Sequence, residues 1–140
     1  MDRVKYFEDK IAAKINMWLK LDAHVSVLTR REPWRLNAIR RVLRSFGFSD
    51  RGSDEMAGPG AVFFRRTGVI KSMHDYMQLL PLRGTKIGLV VECDEFYDTA
   101  IRDYLDDTYF AGYRLLLITL ANRWRCYKMP AERCTAEHFR

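Results

Sequence analysis

Lys86-Ile87-Gly88-Leu89-Val90-Val91-Glu92-Cys93 decides the fold class: a β-branched run preceded by Arg83-Gly84-Thr85 reads as a strand. The residues after it change period. Asp94 is a good helix cap, and Phe96, Ala100, Ile101, Tyr104 and Leu105 recur at three- and four-residue steps, which predicts a helix from about Glu95 to Asp107. Tyr113 to Ala121 then returns as an apolar strand. Asn122-Arg123 reads as a turn into a last strand, Trp124 to Met129, completing a hairpin, and Pro130 opens a short tail helix over residues 130–140.

Upstream of this region the pattern is helical. Val4, Phe7, Ile11, Ile15, Trp18 and Leu19 form one apolar stripe, so the first twenty residues are predicted as an amphipathic helix. Pro33 suits the first turn of a second helix with Leu36, Ile39, Leu43 and Phe46 on its inner face. Gly47 is placed to take the left-handed position after that helix and to fold Phe48 back toward Leu43. Residues 49–60, with three glycines and Pro59, read as a mobile loop. Ala61 to Arg66 reads as a strand, Thr67-Gly68 as a turn, and Ser72 with Asp75 as the capping box of a short helix presenting Met73, Met77 and Leu80. The sum is a single α+β domain over residues 1–140. Its sheet is small, mixed or antiparallel, with about four strands, and the N-terminal helices and a crossover helix pack on it.

Composition narrows the classes. With 48% hydrophobic residues the chain carries too many large apolar groups for a disordered one. The longest apolar run, Leu115 to Ala121, is strand-sized, so no membrane partner is expected. The N-terminus lacks the pattern of a secretory signal, which predicts a cytoplasmic protein. Cys93, Cys126 and Cys134 are irregularly spaced and read as free thiols.

The net charge of +6 is unevenly spread. Residues 30–51 carry +5, residues 85–113 carry −5 and residues 114–140 carry +4. Arg40, Arg41 and Arg44 fall away from the apolar face of the second helix, with Trp34 and Arg35 at its leading end. That predicts an exposed cationic stripe suited to polyanions, with the aromatic ring available for base stacking. Arg30, Arg31, Arg123 and Arg125 extend the basic set. The acidic counterpart is Asp98, Asp103, Asp106 and Asp107 along the predicted Glu95–Asp107 helix, a face for another protein or for copies of the chain itself. Alternatively, the two blocks neutralise each other within one fold.

Three constellations could carry chemistry. Glu92 and Asp94 project to one side of a strand end with Asp98 a helical turn beyond, a carboxylate triple of the kind that holds a divalent metal for phosphodiester chemistry. His24-Val25-Ser26-Val27 has the tetrad form of two-histidine phosphoesterases, but their required second tetrad is missing. Cys126, Cys134 and His138, with Cys93, are a loose Cys/His set without a Cys-x-x-Cys pair. No cofactor-binding loop occurs, and none of the three constellations is complete enough to assign a catalytic residue or a metal site. A helix-turn-helix built from the early helices, with a wing at Phe63 to Thr67, is also open.

The order of helix, long loop, strands, amphipathic helix and closing hairpin is loosely similar to that of small phage tail-completion subunits. That resemblance implies a viral assembly role in the host cytoplasm or the virion. The expectation is a non-enzymatic protein interaction module, a small subunit or inhibitor acting through its charged faces. Nucleic-acid binding through the second helix is the alternative, and metal-dependent phosphodiester chemistry the third reading.

Overall fold

A computed structural model describes residues 2–21, 24–52, 54–58, 60–67, 86–97, 114–125 and 134–138. The elements are α1 (Arg3–Lys20), β1 (His24–Arg30), α2 (Pro33–Ser45), β2 (Ser49–Asp50), β3 (Glu55–Gly58), β4 (Ala61–Thr67), β5 (Lys86–Tyr97), β6 (Arg114–Arg125) and β7 (Cys134–His138). The fold is mixed α+β. The described residues form a sheet of seven strands in the order β2-β3-β4-β5-β6-β1-β7, more than the four expected. β4, β5, β6, β1 and β7 run parallel, and β2 and β3 add an antiparallel meander at one edge.

Local signals set the two helices. The Asp2 carboxylate accepts from the N–H groups of Val4 at 2.9 Å and Lys5 at 3.2 Å, capping α1. Phe7, Ile11, Ile15 and Trp18 then bury the predicted stripe. At the end of α2 the Phe48 N–H reaches back to the Leu43 carbonyl and the Gly47 N–H to that of Arg44, with Gly47 at φ +90°. This is a Schellman closure. Gly47→Ala is expected to cost about 1 kcal/mol through backbone strain alone, since nothing lies where its methyl would go. Urea unfolding at constant m-value checks it.

The helices share one face of the sheet, where Val25, Val27, Phe63, Val90, Leu116, Ile118 and Leu120 meet Phe7, Ile11, Ile39 and Leu43. Leu89, Val91, Leu115 and Leu117 point the other way and are equally buried, at 2% exposure or less. Burial on both faces explains why β5 and β6 read as unbroken apolar runs. Gly88 is required by contact: a Cβ there would lie 2.1 Å from the Phe63 ring.

Several expectations fail in this fold. β5 continues to Tyr97, so Asp94 is a strand residue and not a helix cap; Glu95, Phe96 and Tyr97 pair with Arg123, Trp124 and Arg125. The non-local ladder outweighs a local cap. The same ladder carries β6 straight through Asn122-Arg123, a dipeptide without the glycine a tight turn favours, so the hairpin does not form. The tail helix is also replaced over Cys134–His138, which pairs with β1 as a parallel strand. The proposed loop at 49–60 holds β2 and β3. β1 itself, buried from His24 to Thr29, was not expected as a strand. With the long loop and closing hairpin gone, the order that resembled phage tail-completion subunits is gone too. The helix expected over 72–80 and the acidic set Asp98, Asp103, Asp106 and Asp107 lie outside the described residues. Among the described residues no helix is long and apolar enough to cross a membrane.

Candidate functional site at the carboxyl end of the parallel strands

β1 ends at Arg30, and only Arg31 and Glu32 separate it from Pro33, the first residue of α2. The Arg31 N–H continues the ladder to the Ala121 carbonyl at 3.2 Å, so the helix starts directly beyond the carboxyl end of β1, beside Ala121 of β6, which runs on to Arg125. β4 and β5 end on the same side. Parallel sheets bind ligands outside these ends. Here they border a cleft of about 500 Å³ whose walls include Arg31, Asn37, Arg65, Glu92, Leu120 and Asn122.

Glu92 is the centre of the cleft. Alternation along β5 places it on the helix face with Gly88 and Val90, and its side chain is 12% exposed. Arg65, on the same face as Phe63, donates from Nη2 to both carboxylate oxygens at 3.1 and 3.0 Å and from Nε to Oε1 at 3.3 Å. Arg31 brings its Nη2 to 3.8 Å from Oε2. The Glu92 hydrogen bonds raise the Arg65 pKa above its already high value, with Asp54 contributing, so the guanidinium stays charged at any working pH. On the far side of Arg65 and Leu36 lies a smaller pocket of about 190 Å³, floored by Met56, Phe63 and Val90 and rimmed by Arg40, Asp50, Asp54 and Glu55.

The α2 N-terminus opens on this cleft. Its cap residue Glu32 makes no capping hydrogen bond. Instead Glu32 Oε1 accepts from Arg35 Nε at 2.8 Å, which holds the carboxyl below its ordinary pKa.

The expected binding residues scatter. Arg35 is 2% exposed and belongs to the core: it donates to Thr29 Oγ1 at 2.9 Å and lies 4.5 Å from the Trp34 and 5.0 Å from the Phe7 ring centre. Trp34 is half-buried, with Arg3 on its ring at 4.7 Å and Phe7 edge-on at 5.4 Å, so it is not an open stacking platform. Arg41 pairs with Glu8 at 3.4 Å and Arg44 with Asp50 at 3.0 Å, while Arg40 is half-buried beside the smaller pocket. The helix stripe is thus matched within the fold, by different acids from the block considered in the sequence. Arg30 and Arg123 are exposed at the carboxyl ends of β1 and β6, and Arg125 ends β6.

The chemistry-bearing constellations fall on β1, β5 and β7. Glu92 is held by arginines, Asp94 follows on the same strand, and Asp98 is outside the described residues. His24 lies at the opposite end of β1, 1% exposed, and its Nδ1 accepts the Leu115 N–H at 2.9 Å, a structural contact. Cys134 and His138 are the first and last residues of β7. Among the described residues no three metal-ligating side chains come together. β1 separates the two helices and both lie on the sheet, which rules out a helix-turn-helix. Arg65 and Asn122 were missed. Alternation from Phe63 to Arg65 was the available signal, a charge on the buried face of a strand where it ends. The chain matches no protein-family model, and no curated protein matches it.

Proposed function

We propose that the chain is a non-enzymatic binding module that takes the phosphate backbone of a nucleic acid at the carboxyl end of its sheet. The observation that carries this is the convergence of Arg31 and Arg65 on one cleft, under the uncapped start of α2. Guanidinium forks and a helix N-terminus both favour phosphate. Arg41 and Arg44 line neither cleft, which makes their stripe a weaker claimant. Binding is favoured over metal-dependent catalysis because both Glu92 oxygens accept from Arg65.

The test is fluorescence anisotropy with a labelled single-stranded oligonucleotide over a salt series. The double variant Arg31→Ala/Arg65→Ala is expected to lose about tenfold in affinity at low salt and to flatten the log–log salt slope by about 0.7, the share of one phosphate. Arg41→Ala/Arg44→Ala is expected to change affinity less than about threefold. The reverse ranking returns the interface to the second helix. Absence of binding, with a mass that rises with concentration in light scattering, favours the assembly reading.

A further inference from the structure

We infer that Glu92 fills, from within the chain, the seat of a backbone phosphate between Arg31 and Arg65, so that a phosphodiester binds by exchanging with this carboxylate. The inference rests on the nucleic-acid reading above. Arg65 grips Glu92 as it would grip a ligand: the guanidinium edge formed by Nε and Nη2 spans the carboxylate, at 3.3 Å to Oε1 and 3.0 Å to Oε2. A carboxylate and a phosphodiester each carry one negative charge over two equivalent oxygens, so they compete for the same fork.

The fit to Glu92 is incomplete on one side. Arg31 stands 3.8 Å from Oε2, an ion pair too long for a hydrogen bond. A tetrahedral phosphate projects its oxygens in more directions than a planar carboxylate and spans the two guanidiniums more fully. Exposure sets the order of encounter. Arg31 and Arg65 are 33% and 34% exposed against 12% for Glu92, so an anion arriving through the cleft meets the arginines first. The displaced carboxylate has the cleft of about 500 Å³ to turn into, where water solvates it. Until a partner arrives, Glu92 screens the repulsion between two cations that reach the cleft from β4 and from the end of β1. The result is a site closed by its own chain and opened by a stronger polyanion.

Glu92→Gln separates this from a purely structural ion pair. With a labelled oligothymidylate of about 12 nucleotides at low salt, Glu92→Gln is expected to bind about tenfold tighter than wild type, because the internal competitor is gone. The gain is expected to vanish in Glu92→Gln/Arg65→Ala. Glu8→Gln, which makes the same change in net charge away from the cleft, is expected to gain less than about twofold. If Glu92→Gln does not fold by circular dichroism, Glu92→Asp carries the test: it draws the carboxylate back by one methylene and is expected to gain about threefold. Equal or weaker binding by the Glu92 variant, a gain no larger than that of Glu8→Gln, or a gain that survives loss of Arg65 overturns the exchange. If wild type binds through Arg31 and Arg65 but the Glu92 variant gains nothing, only the exchange falls. If neither binds, the nucleic-acid reading falls with it.

Discussion

Arg35→Met is expected to destabilise the fold by about 3 kcal/mol, near 10 °C in Tm for a chain of this length. Arg35 is 2% exposed and its guanidinium has partners on every side: Glu32 at 2.8 Å, Thr29 Oγ1 at 2.9 Å, and the Trp34 and Phe7 rings. Methionine keeps much of the stem's packing, so what is lost is the charge and its hydrogen bonds. The Thr29 hydroxyl, 0% exposed, loses its donor, and Glu32 loses its neutralising partner. Glu32 remains 34% exposed, and solvent trims the penalty below that of a fully buried unpaired charge. Arg35→Lys is expected to recover little, because an ammonium cannot reach Glu32 and Thr29 while lying flat between two rings.

The same pair predicts an acid limb. The lowered Glu32 pKa means the folded state binds its proton less readily than the unfolded chain does. Its contribution is therefore full above the unfolded value of about 4.3 and is lost as pH falls through the lower folded value. Urea midpoints for wild type measured downward from pH 6 should fall more steeply in that window than those for Arg35→Met. Parallel curves would show that the pair carries no such linkage.

Arg35 also shows how far the sequence could be read. The stripe Leu36, Ile39, Leu43 and Phe46 identifies α2, yet the face it buries is Arg35, Ala38, Ile39, Val42 and Leu43. The helix is turned because Thr29 and Glu32 offer polar partners to a guanidinium, and no apolar pattern encodes those partners. The helix ends at Asp2 and Gly47 were legible because capping is decided within a few residues. The outer reaches of β5 and β6 were not. Asp94 and Asn122-Arg123 have the local chemistry of a cap and a turn, and the ladder that overrides them joins strands far apart in sequence. β1 was hidden for a related reason: the strands that pair with its two edges, β6 and β7, lie at the other end of the chain. At the candidate site, Glu92 stood out as a carboxylate at a strand end. Arg65, which gives it a different role, lies 27 residues upstream.

Trp18→Ala is expected to have the largest effect, about 4 kcal/mol or roughly 15 °C in Tm. Trp18 is fully buried at the end of α1, with its ring stacked on Phe48 at 6.3 Å. Its Nε1 donates to the Arg114 carbonyl at 3.1 Å, fastening the helix to the start of β6. Lys86, the first residue of β5, donates from Nζ to the carbonyls of Trp18 at 2.5 Å and Leu21 at 2.9 Å, which satisfies the helix end and opposes its dipole. A graded series separates these contributions. Trp18→Phe keeps most of the ring contact and forfeits the hydrogen bond, for about 1.5 kcal/mol, and Lys86→Met removes the charge on the helix end for about 1 kcal/mol. In Trp18→Ala the cavity adds to the lost hydrogen bond, so its cost should exceed the other two combined. A cost for Trp18→Ala near that of Trp18→Phe would mean that the site collapses around the smaller residue, and that the join between α1 and the sheet rests on the hydrogen bonds at its rim.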